Sequence, residues 1–135
     1  MQVDFYHLTV TPVERALPGI ALKVVDGGGR LLIVSSDESQ RRRIDTSLWT
    51  WPADSFLPHA QAGAGDDAVQ PVLIGEAVAP ANGARFVALI DGVWRDEALG
   101  FDRAFHFFDA DRIAEARAAW KALADREGIE RRYWK

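Results

Sequence analysis

An α/β three-layer sandwich built on a mixed, largely parallel sheet is predicted by three features of the sequence. Apolar runs of strand length alternate with segments of helical periodicity. The run LLIVSS at residues 31–36 is unbroken, as expected of a strand covered on both faces. Turns rich in Gly and Pro separate the segments. With 135 residues and 48% apolar side chains, residues 1–135 are expected to form one domain around one core.

The elements follow in order. Residues 3–8, VDFYHL, are rich in β-branched and aromatic side chains and read as a first strand. Thr11 as N-cap and Pro12 at the first helical position open a helix through Val25, with apolar positions at Val13, Leu17, Ile20, Ala21 and Val24 and a kink at Pro18. Gly27, Gly28 and Gly29 end it, and Arg30 leads into the second strand, closing a βαβ unit. Asp37 or Ser36 caps a second helix in which Ile44 and Leu48 face inward and Arg41, Arg42 and Arg43 turn mainly to water; Pro52 stops it. Residues 53–70 read as a long irregular stretch and therefore as a candidate functional surface. VLIGEAV (72–78) and RFVALID (85–91), joined by PANG, suit two strands that could pair as a hairpin. AFHFF (104–108) suits a last strand, and Asp109 or Asp111 caps a final helix to about Glu127, stopped by Gly128.

Composition removes several classes of function. The chain has no cysteine, which excludes thiolate chemistry and cysteine-based zinc sites and suits a reducing compartment such as the cytoplasm. No basic segment followed by an apolar stretch opens the chain, and no run approaches the roughly 20 apolar residues that span a bilayer, so a soluble protein is expected. A net charge of -4 argues against bulk electrostatic grip on phosphate backbones. The charge is uneven: residues 111–135 carry seven Lys or Arg against five Asp or Glu, and residues 1–110 carry nine against fifteen. A small basic patch on an acidic body suits acidic peptides better than long DNA.

Residues 27–29 form no nucleotide motif, because they follow a helix and precede a strand, and no GK[ST] comes after them. His7, His59 and His106 lack a second ligand at helical spacing. His59, with Asp54, Ser55 and Asp66 nearby in sequence, offers the one enzyme-like grouping, but no G-x-S-x-G presents Ser55. Arg41–Arg43 are a candidate phosphate contact or a solvated face beside Asp37, Glu38 and Asp45. Five tryptophans are many for this length, and some of Trp49, Trp51, Trp94, Trp120 and Trp134 should lie at surfaces, where an indole N–H finds a partner. On the last helix Arg117 and Lys121 are four apart, with Trp120 three from Arg117. Two readings stand there: cations solvating a helix whose Trp120 packs inward, or a socket for a peptide with acidic and aromatic groups.

The run LWTWPADSFLPHAQAGAG, residues 48–65, resembles the signature of the DNA polymerase III chi subunit family, LW-x-x-P-A-x-SF-x-PH-x-x-AG-x-G. The aromatic first strand, the Arg-led strand LLIVSSDE, the Ile44–Asp45 pair before the signature and the final Trp134 and Lys135 agree with it. The resemblance implies a topology akin to nucleotide-binding folds without a nucleotide site, no catalysis, no cofactor and no metal. It implies a non-catalytic accessory subunit of the DNA polymerase III holoenzyme in DNA replication. Such a subunit bridges the clamp loader, through the psi subunit, to the acidic C-terminal tail of single-stranded DNA-binding protein. By motif position the psi side falls on Phe56, with Trp49, Leu57 and Pro58 as neighbours. The tail side falls on Arg117, Trp120 and Lys121, with Phe108 as an apolar wall. A further family arginine falls on Ala124, leaving Arg126 as its nearest substitute. A disordered tail that orders on binding implies micromolar affinity, on the order of -8 kcal/mol or weaker, and no sequence-specific contact with nucleic acid. The alternatives from other classes are a small α/β enzyme at His59 and a direct DNA-binding module at Arg41–Arg43.

Overall fold

A computed structural model describes residues 1–50 and 57–135. Seven strands form one sheet in the order β3-β4-β2-β5-β6-β1-β7. They are β1 (Gln2–His7), β2 (Leu31–Val34), β3 (His59–Gln61), β4 (Val72–Gly75), β5 (Phe86–Leu89), β6 (Arg103–Phe108) and β7 (Glu130–Trp134). Among the described residues three α-helices, α1 (Val13–Asp26), α2 (Glu38–Thr50) and α3 (Ile113–Ala124), join the sheet in an α/β sandwich. The largely parallel character expected of the sheet extends to every described pairing, all of which are parallel.

The sheet separates two cores. Val13, Leu17 and Ala21 of α1 and Ile44 and Leu48 of α2 pack with Leu31, Ile33, Phe105 and Phe107 on one face. Ala116, Ala119 and Leu123 of α3 pack with Val3, Phe5, Leu32 and Phe108 on the other. Fully burying an aliphatic side chain of this kind contributes about 1.5–3 kcal/mol, so the two buried residues of α2 suffice to dock an otherwise polar helix.

Several boundaries differ from expectation. Pro12, not Thr11, is the residue flanking α1, and no side chain caps that end. Asp37 does cap α2, its Oδ1 accepting from the Ser39 and Gln40 amides. VLIGEAV and RFVALID do not form a hairpin: β4 and β5 lie on opposite sides of β2, each parallel to it. Their physical signal was present, because both are continuous apolar runs that end up buried rather than alternating, which places them in the sheet interior. The return is fixed by Asn82, whose amide donates to the Leu31 and Gln70 carbonyls while its Oδ1 accepts from the Ala84 amide. The stretch 53–70, expected to be irregular, contains β3 and a 3₁₀ turn at Asp67–Val69 among its described residues; the strand sequence HAQ carries no β-branched residue to announce it. The last helix ends at Ala124, short of Glu127, and the chain then reverses through Gly128 at φ 77° into β7. No described helix is long and apolar enough to cross a membrane.

Candidate functional site

Two helices cover one face of the sheet and a single helix covers the other, so α3 leaves a groove beside β1 and β7. Its volume is about 600 Å³. Phe5 and His7 of β1 and Phe108 of β6 line it from the sheet, Ile113, Ala116, Arg117 and Trp120 from α3, and Tyr133 and Lys135 from the C-terminal end. Alternation along the strands brings these together, since Phe5 and His7 share a face, as do Arg131, Tyr133 and Lys135.

Ring contacts hold the groove in shape. Trp120 meets Phe5 edge-to-face at 5.2 Å between centroids, and His7 stacks on Phe108 at 5.0 Å. The Arg131 guanidinium lies 4.2 Å over the Trp120 ring and donates to the Trp120 carbonyl at 2.7 Å, clamping helix to strand. His7 Nδ1 lies 3.1 Å from the Tyr133 hydroxyl, tying the two strands across the groove. Below, His106 is fully buried between Phe5, Trp94 and Phe108, and neither ring nitrogen has a partner among the described residues. Burial pushes its pKa down to about 4, with the Asp91 charge acting the other way.

The groove's cations stand idle. Among the described residues Arg117, Lys121 and Lys135 make no ion pair, while Arg131 is committed to Trp120. A wall of aromatic rings with unpaired cations beside it can take an apolar or aromatic side chain together with a carboxylate.

Of the tail-side residues, Phe108, Arg117 and Trp120 come together in the groove. Lys121 is exposed on α3 outside its lining, and Arg126 is turned away to Asp96 at 3.4 Å. The sequence assigns none of Phe5, His7, Arg131, Tyr133 and Lys135 to this site, although His7 is weighed there as a ligand and Lys135 as part of the family pattern. The period-two pattern of Arg131, Tyr133 and Lys135 after Gly128 is the signal that would have found the strand.

On the psi side, Phe56 lies outside the described residues. Trp49, in the last turn of α2, has 59% of its surface exposed, and its ring lies 4.6 Å from that of His59. Leu57 is buried in the core beneath α2, and Pro58 is half-buried. His59 is buried, with Nδ1 2.8 Å from the Leu57 carbonyl and Nε2 3.2 Å from Asp45 Oδ1. The grouping of His59 with Asp54 and Ser55 falls partly on residues outside those described, and Asp66 is exposed beyond β3.

The arginine run is engaged internally. Arg41 is half-buried, contrary to the expectation that it faces water, and donates to the Ser35 carbonyl at 2.7 Å. Arg42 pairs with Glu38 at 2.7 Å and Arg43 with Glu14 at 3.1 Å. Residues 27–29 close a helix: the Gly27 amide donates to the Lys23 carbonyl, and Gly28 has φ 85°. No group of three or more candidate metal ligands occurs among the described residues.

A family model described as "DNA polymerase III chi subunit, HolC" matches residues 1–130. The DNA polymerase III subunit chi of Escherichia coli strain K12 is 42% identical over 65 residues, covering 48% of this chain and 44% of that protein. The subunit chi of Pseudomonas aeruginosa is 32% identical over 84 residues, covering 60% of this chain and 58% of that protein. The chain thus spans about half the length of the curated relatives it matches.

Proposed function

The chain belongs to the DNA polymerase III chi subunit family, and from that premise we propose that it is a non-catalytic adaptor of the replicative polymerase. It joins the clamp loader, through the psi subunit, to the acidic C-terminal tail of single-stranded DNA-binding protein. The observation that carries the reading is the aromatic groove under α3, lined also by Arg117 and Lys135, which make no ion pair among the described residues. A tail ending in phenylalanine suits it: the ring packs against Trp120 and Phe108, and the chain-end carboxylate meets Arg117 or Lys135. Lys121, also unpaired, adds longer-range attraction for acidic residues upstream. The psi subunit takes the other end of the molecule, where exposed Trp49 and half-buried Pro58 offer apolar contact above buried Leu57, and Phe56 is assigned to it by motif position alone.

Titration of the acidic tail peptide into the protein at two salt concentrations tests the reading. The expected result is micromolar binding that weakens with salt and is lost in Arg117→Ala. A wild type that binds no tail at concentrations up to about a millimolar contradicts it.

A further inference from the structure

The outer edge of β7 is unpaired among the described residues, because β7 ends the strand order and is bonded to β1 alone. Its direction is fixed by one bond: the Glu130 amide donates to the Met1 carbonyl at 2.9 Å. In a parallel ladder both main-chain groups of a residue face the same neighbour, and the next residue faces the opposite way. Glu130, Arg132 and Trp134 therefore present their amides and carbonyls to β1, while Arg131 and Tyr133 present theirs outward. The same two residues turn their side chains toward α3, where Arg131 stacks on Trp120 and Tyr133 lines the groove. The groove thus opens directly onto a row of unsatisfied main-chain donors and acceptors.

We infer that this edge takes an extended acidic peptide as an added strand, main chain to main chain, with alternate peptide side chains entering the groove under α3. The inference rests on the reading of the groove as a tail-binding site and adds how the tail is held. Two observations select the occupant. An open edge invites any strand, but this one is net positive: Glu130 neutralises Arg132 at 2.9 Å, while the positive charges of Arg131, over the Trp120 ring, and of Lys135 remain, so a second copy of β7 meets like charge while an acidic strand meets attraction. Arg117 and Lys135, which line the groove and make no ion pair among the described residues, supply the same sign. Main-chain pairing supplies affinity without demanding sequence, and the groove then reads every second side chain.

The test uses the full chain and three synthetic acidic peptides ending in phenylalanine: one unmodified, one N-methylated at alternate internal residues, and one N-methylated at the intervening residues. N-methylation removes the amide donor and crowds the edge without changing charge. Strand addition predicts that one methylated set loses binding by at least about tenfold while the other binds like the unmodified peptide. Equal behaviour of the two sets, whether both bind or both fail, overturns the strand pairing and leaves the groove reading standing. Failure of the unmodified peptide removes the groove reading and this inference with it.

Discussion

Two groups of cations on this molecule differ in whether the described residues pair them. Arg41–Arg43 form the longest basic run in the sequence, yet each is engaged: Arg41 with the Ser35 carbonyl, Arg42 with Glu38 and Arg43 with Glu14. Arg117, Lys121 and Lys135 are scattered over nineteen positions of sequence and make no ion pair among the described residues. A run of like charge in a sequence thus measures local density, whereas recruitment of an acidic ligand depends on charge the fold leaves unneutralised. The second cluster also adjoins a groove walled by the rings of Phe5, His7, Phe108, Trp120 and Tyr133.

The largest effect expected comes from His106, buried behind the Phe5 and Phe108 walls of that groove. His106 has a folded pKa of about 4, below its ordinary 6.5. The unfolded chain therefore takes up a proton as pH falls below about 6.5, and the folded chain resists until about 4. Stability is full above pH 6.5 and declines toward pH 4, by on the order of 3 kcal/mol for the two to three units involved. Denaturant unfolding across that range should show the decline in the wild type, and His106→Leu should remove this contribution. Next in size, Arg41→Ala should cost about 2 kcal/mol, because it strips the charged donor from the carbonyl of buried Ser35, while tail affinity stays unchanged. Equal loss of tail binding in that variant would erase the distinction between the clusters.

Trp120→Ala should lower tail affinity by roughly tenfold, about 1.4 kcal/mol, since the ring forms a wall of the groove and anchors Arg131. Calorimetric titration with the tail peptide measures it. Arg42→Ala should be nearly silent, within about 0.5 kcal/mol in stability and without effect on tail binding, as its pair with Glu38 is an exposed i, i+4 contact. Thermal unfolding alongside the same titration checks both.

How much of this was legible in the sequence depended on whether the features were contiguous. The signature at residues 48–65 and the unbroken strand at 31–34 sit in single stretches, and they led to the family and the α/β sandwich. Helical spacing on α3 put Arg117 and Trp120 on one face, and the structure places both in the groove. The rest of the groove comes from Phe5 and His7 at one end of the chain and Tyr133 and Lys135 at the other, joined because β1 pairs with both β6 and β7. No local window contains that proximity. β7 itself was hidden by its composition: four of its five residues are exposed, so it lacks the apolar pattern that announces a strand. The hairpin expected between residues 72–78 and 85–91 failed for a related reason, because a turn signal such as PANG marks a reversal without saying whether one strand or another lies between.

The central claim is that the unpaired cations and rings of the α3–β7 groove, and not the arginine run of α2, receive the acidic tail. Backbone amide chemical-shift mapping during titration with the tail peptide tests it most directly. The account predicts progressive shifts at residues 113–121 and 131–135 with residues 38–50 unmoved; shifts concentrated at residues 38–50, with the groove unmoved, would contradict it.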